Sequence, residues 1–195
     1  MTDVLNSNLF LVKEHVGIFK AANNFDIYDP STGEVIMECR EPTLGFFTKL
    51  LRFTDYKRMT PFDVHIRTPA GEPIVRIQRG ISLFMSKVIV NDHNNNIIGG
   101  FAQKFLSFGG KFDVLDKNEE TICRLEGKWT GWDFSFKNDE HELAHVSKKW
   151  AGLGKEMFTS ADNYVLEISE VVPKNDDVRK LILAAVMCID MVLKE

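Results

Sequence analysis

The chain has 195 residues, enough for one domain with a large core. Its net charge of −4 gives no bulk attraction to nucleic acid, and none is expected as a partner. Three cysteines without CxxC spacing argue against a disulfide scaffold or a structural zinc site and fit reduced thiols in a cytoplasmic protein. The first residues, MTDVLNSNLF, carry an acid and no basic run, so no secretory signal is expected.

In chain order, Leu9–Val12 reads as a strand that His15–Phe19 would turn back into a first hairpin. One pattern then repeats five times. Phe25–Tyr28 leads through DPSTGE to Val35–Met37, and Phe62–Ile66 through TPAGE to Ile74–Ile77. Lys87–Val90 leads through NDHNNN to Ile97 and Ile98, and Phe112–Leu115 through DKNEE to Thr121–Leu125. Trp132–Phe136 leads through KNDEHE to Leu143–Val146. Each unit sets β-branched and aromatic residues around a cluster of turn formers. Tyr164–Ile168 reads as a last strand. With about a dozen short strands, closure into a barrel removes exposed edges but leaves a wide bore.

The final stretch, Val178–Leu193, supplies what such a bore needs. Leu181 to Ile189 contains no polar residue, so a helix here is apolar on every side and must be enclosed. It is too short for the roughly 20 apolar residues of a membrane span. Asn175 or Asp176 can cap it, and Asp177 suits its positive end. The expected fold is therefore mostly β. It is an antiparallel closed barrel of about twelve strands around a C-terminal hydrophobic helix over 176–193, with 1–195 as a single domain.

Up-and-down order sends the tight turns to one end and the connections between hairpins to the other. The turns hold Asp29, Glu34, Glu72, Asp92, Asp116, Glu119, Glu120, Asp139, Glu140 and Glu142. The connections hold basic and aromatic residues. The first contributes Phe46, Phe47, Lys49, Leu50, Arg52, Phe53, Lys57 and Arg58. The others contribute Arg79 and Phe84, then Lys104, then Lys128 and Trp129, then Lys149. Apolar side chains with a basic rim suit peripheral binding to an anionic membrane. The competing reading has these residues capping one mouth of the barrel.

His141-Glu142-Leu143-Ala144-His145 matches HExxH, which binds zinc only when a helix puts both histidines on one face. It falls at a hairpin turn, where residues four apart on a strand are about 13 Å apart. The match is read as chance and the protein as no enzyme. No GxSxG, GxGxxG or P-loop is present. Cys123 and Cys188 lie in apolar runs and read as inert core thiols.

Several stretches resemble a known family. Lys149-Trp150-Ala151-Gly152, Glu156 to Tyr164 and the closing helix are similar to the C-terminal half of the phospholipid scramblases. Pro61 to Arg79 and Lys111 to Gly127 also look like that family. The same pattern is shared with the LURP-one-related proteins. The fold this implies resembles the tubby C-terminal domain, a twelve-stranded barrel around a central helix. The resemblance implies an intracellular protein that binds anionic phospholipid, with phosphoinositides as one class of ligand, or that sits peripherally at a membrane, without covalent catalysis. The alternatives are true lipid translocation, with or without dependence on calcium, and a soluble protein-interaction scaffold. The proline-rich tail and cysteine-rich segments of animal scramblases are missing here. Their proposed calcium loop maps onto Ser160, Asp162 and about Val171, so one carboxylate stands in register. No cofactor is expected, and Asp162, Glu167 and Glu170 are the remaining candidates for calcium.

Overall fold

The computed structural model describes residues 3–14, 24–42, 60–80, 87–103, 112–128, 131, 133–148 and 163–193. A short 3-10 turn, Asp3–Asn6, opens the chain. Twelve strands follow: β1 (Leu9–Glu14), β2 (Phe25–Tyr28), β3 (Val35–Arg40), β4 (Phe62–Arg67), β5 (Pro73–Arg79), β6 (Lys87–Asp92), β7 (Ile97–Gln103), β8 (Phe112–Asp116), β9 (Thr121–Lys128), β10 (Asp133–Lys137), β11 (Glu142–Ser147) and β12 (Asn163–Ile168). A single helix, α1 (Asp177–Leu193), ends the described chain. Each strand pairs with its neighbours in sequence, and β1 pairs with β12, so the sheet closes into an antiparallel barrel.

Register carries the hydrophobic pattern around the wall. Val12, Ile27 and Met37 lie opposite one another across β1, β2 and β3. Phe10, Leu166, Val146 and Phe134 form another such row across β1, β12, β11 and β10. Val88, Phe101, Val114 and Cys123 form a third across β6, β7, β8 and β9. All of these side chains are buried. A slip of one residue in any pair would turn such a row outward, which fixes the register.

The hairpin turns share one local device, a polar side chain at the turn's head that accepts backbone N–H groups. Asp29 Oδ1 accepts from Ser31 (2.7 Å), Asp92 Oδ1 from Asn94 and Asn96 (both 2.8 Å), and Asp116 Oδ1 from Asn118 and Glu120 (2.8 and 2.9 Å). Asn138 Oδ1 accepts from Glu140 and His141 (3.0 and 2.7 Å), and Thr68 Oγ1 from Glu72 (3.1 Å). These are the Asx- and hydroxyl-headed turns that the Asp-, Asn- and Thr-led sequences encode. All five hairpins form as their sequences indicate.

Both edges of β1 are paired, one with β2 and the other with β12. His15–Phe19, expected to turn back on Leu9–Val12, lie outside the described residues. Closing the barrel through β1 and β12 satisfies backbone groups that an open sheet edge would leave exposed.

Inside the wall, every residue of α1 from Leu181 to Ile189 is at most 2% exposed. Asp176 caps the helix, its Oδ1 accepting the Val178 N–H at 2.9 Å. Lys180 pairs with Asp177 at 2.7 Å. Among the described residues no helix is long and apolar enough to cross a membrane. The helix lies close to the wall at β7, where Gly99 (φ +156°) faces Leu181. A Cβ at Gly99 would stand 2.2 Å from the Leu115 carbonyl oxygen and 3.0 Å from the Leu181 side chain. Burial pushes the thiol of Cys123 up to about 12 and also raises those of Cys39 and Cys188, which disfavours the reactive thiolate at all three.

Gly99→Ala is therefore expected to cost about 2–4 kcal/mol of unfolding free energy, because neither the β8 backbone nor the enclosed helix can retreat. Gly80→Ala, with open space at its Cβ position, should stay within about 0.5 kcal/mol. Urea titrations of both variants provide the check.

Candidate functional site

The closed up-and-down order sorts the chain between two mouths. The turns 29–34, 68–72, 92–96, 116–120 and 138–141 all leave one mouth, together with the segment from β12 into α1. Glu34, Glu72, Glu119, Glu120, Asp139, Glu140, Glu142 and Glu170 are exposed there, which makes this mouth acidic. At the opposite mouth lie the strand ends Glu14, Phe25, Arg40, Phe62, Arg79, Lys87, Gln103, Phe112, Lys128, Asp133, Ser147 and Asn163.

Most of the membrane-contact residues read from the sequence belong to the connections between these ends. Phe46, Phe47, Lys49, Leu50, Arg52, Phe53, Lys57 and Arg58 lie between β3 and β4, Phe84 between β5 and β6, Lys104 after β7, Trp129 after β9 and Lys149 after β11. All of them lie outside the described residues. Lys128 closes β9, its backbone in register with Asp133. Asp162 and the side chain of Asp190 also lie outside.

Two basic strand ends at this mouth are engaged by neighbouring residues. Arg79 is the last residue of β5 and only 4% exposed. Its Nη2 donates to the Thr60 carbonyl (2.6 Å), and its guanidinium stacks 4.7 Å from the Phe62 ring centre. A delocalised guanidinium tolerates such an aromatic seat. Arg79 therefore builds the rim rather than facing outward from it. Lys87 opens β6, exposed, and reaches Glu119 of the β8–β9 turn at 2.5 Å.

The outer wall is laced with charge. Across β2–β4, Arg40 bonds Asp26 and Glu38, and Glu38 pairs with Arg67. On β4 and β5, Asp63 takes a two-pronged bond from Arg76, Nε to Oδ1 at 2.9 Å and Nη2 to Oδ2 at 2.6 Å. His65 and Gln78 add contacts at 3.1 and 3.4 Å. The Arg76 hydrogen bonds hold the Asp63 carboxyl below its usual range, outweighing partial burial.

The HExxH stretch has no helix. His141 stands in the turn and Glu142–Ser147 is strand β11. His145 pairs instead with Asp133 (Nε2 to Oδ1, 3.0 Å) beside an open cleft of about 240 Å³ lined by Glu142, Ala144, His145, Glu167 and Ser169. Among the described residues no three potential metal ligands come together. Of the calcium candidates, Glu167 lies in β12, which is paired on both edges, and stands in register with His145 and Leu9. Glu170 is exposed in the turn that follows β12.

Comparison with known proteins agrees with this architecture. The family profile described as Scramblase matches residues 9–195. A phospholipid scramblase family protein of Schizosaccharomyces pombe is 24% identical over 128 residues, 61% of this chain and 34% of that protein. Human phospholipid scramblase family member 5 is 22% identical over 120 residues, 54% of this chain and 44% of that protein. The matched part thus spans less than half the length of either relative. An X-ray structure of an Arabidopsis thaliana protein superposes with a TM-score of 0.55 at 15% identity, over 94% of this chain and 91% of that one, which bears on the fold alone.

The Asp63 cluster has a pH signature. A folded-state carboxyl held below its unfolded value contributes stability above a pH of about 4, and that stability is lost as the pH falls through the lowered folded value. Urea midpoints should therefore fall between about pH 5 and pH 2. Asp63→Asn should flatten part of that slope and cost about 1 kcal/mol or less at neutral pH, since Asp63 is 34% exposed.

Proposed function

Because this chain belongs to the scramblase family, we propose that it attaches peripherally to anionic phospholipid surfaces through the mouth that gathers the hairpin-to-hairpin connections, without covalent chemistry. The observation that carries this reading is the sorting of the two sets of loops. Five turns rich in acid leave one mouth. The segments holding Phe46, Phe47, Lys49, Arg52, Lys104, Trp129 and Lys149 join strands at the other.

The magnitudes favour end-on contact. Strands of four to eight residues run roughly 13–26 Å at about 3.3 Å per residue. Their tilt in a closed barrel shortens this to roughly 10–20 Å along the axis. On one side the Lys87–Glu119 pair links the two ends. The screening length at physiological salt is about 8 Å. Acids on the far mouth are therefore partly screened from a bilayer at the near one, and each basic residue at the surface adds on the order of 1 kcal/mol. The net charge of −4 does not oppose attachment so arranged. Apolar rings entering the interface add attraction that does not depend on salt. The bore is filled by Leu181–Ile189, so lipid contact belongs to the mouth rather than the interior.

Co-sedimentation with vesicles tests this. The protein should pellet with phosphatidylserine- or phosphoinositide-containing vesicles, weakly with neutral ones, and less as salt rises. Replacing Phe46, Phe47, Lys49 and Arg52 together by Ser should weaken partitioning on the order of 100-fold. Equal pelleting with neutral and anionic vesicles, or binding unchanged in that variant, contradicts the proposal.

A further inference from the structure

Arg179 is the least expected residue of the core. It lies in the first turn of α1, beside the positive end of the helix dipole, and is 1% exposed. Both circumstances disfavour a cation. Among the described residues no carboxylate pairs with it. Four oxygens receive its fork instead. Nε donates to the Leu5 carbonyl at 2.8 Å, Nη1 to the Val172 carbonyl at 3.0 Å, and Nη2 to the Ser7 carbonyl and to Asn8 Oδ1, the latter at 2.8 Å.

Three of those four oxygens come from the six residues ahead of β1. That segment crosses the acidic mouth where the helix enters. It has two further anchors: the Leu5 side chain, 5% exposed and part of the core, and the Asn8 carbonyl, which accepts the Ile168 N–H at 2.7 Å. Its only regular structure is one 3-10 turn. The side chain on the helix and the strap over it therefore depend on each other. Without the strap a buried cation loses most of its acceptors. Without the guanidinium, three oxygens at the mouth lose their common donor.

We propose that residues 3–8 form a latch that locks α1 in the barrel through Arg179, and that its release is the low-energy opening of the molecule. The strap comes away and the first turns of the helix loosen, while the wall stays closed. A segment placed before residue 3, or a partner gripping it, would then act on the central helix 170 residues away in sequence. Lysine cannot replace the arginine, since one ammonium does not span oxygens approached from both sides of a planar fork.

Native-state hydrogen exchange on the full chain at low urea tests the latch. Amides of residues 179–183 and of Ile168 should exchange through an opening with a weak urea dependence, distinct from the steep, global opening that governs β4 and β5. Leu5→Ala, a change on the strap and not on the helix, should speed those helix amides on the order of 10-fold or more, and Arg179→Lys should do the same. Combined, the two changes should give clearly less than the product of their separate effects, because both break one coupled contact. Asn8→Ala supplies a milder variant should Arg179→Lys fold poorly. Helix amides that exchange only with global unfolding overturn the proposal. So does partial opening that Leu5→Ala and Asn8→Ala leave unchanged, or multiplicative effects in the double variant.

Discussion

A twelve-stranded barrel has to be filled, and in this protein one helix does the filling. The wall contributes rows of inward apolar side chains, and α1 meets them with nine consecutive residues that are nearly inaccessible to water. Neither partner is stable alone. The helix would expose an apolar surface on every side, and the barrel would enclose a void costly in lost contacts. Other features follow from that mutual need. Ala184 and Ala185 keep the helix slim, Gly99 lets β7 approach Leu181, and closure through β1 and β12 removes the last sheet edge. A filled bore also leaves the ends of the barrel as the places where loops can specialise.

The two ends have specialised in opposite directions. Short turns need Asp, Asn, Thr and Gly for their geometry, and the same hairpins carry a surplus of exposed Glu. Longer connections are free of that requirement, and here they hold most of the aromatic and basic side chains outside the strands. The most hydrophobic segment of the chain is the one whose surroundings are already complete.

Much of the fold was legible because its signals are local. Each of the five hairpins announces itself by a polar turn head followed by alternating residues, and α1 by its unbroken apolar run and its Asp176 cap. The pairing of β1 was not legible. Period-two alternation in Leu9–Val12 says strand but not with whom, and the true partner, β12, is about 150 residues away. Two arginines, buried among the described residues, were hidden for the same reason. Arg79 looks like one more basic residue at a loop, and Arg179 like the polar flank of an apolar run. Their burial depends on Phe62 and Thr60 in one case and on Leu5, Ser7 and Asn8 in the other. HExxH misleads in the opposite way, since its spacing has chemical meaning only on a helix and β11 is a strand. Of the candidate contact residues, the sequence supplies the chemistry and the topology supplies the mouth.

The central claim is that the connection mouth meets the membrane while the turn mouth faces away. Depth-dependent fluorescence quenching by brominated lipids addresses it most directly. Cys39, Cys123 and Cys188 are all buried, so a thiol-reactive fluorophore can be directed to Phe47→Cys in the first connection or to Asn95→Cys in the β6–β7 turn. On anionic vesicles the account predicts strong quenching of the label at 47 and none at 95. Equal quenching at both positions, or quenching at 95 alone, would contradict it.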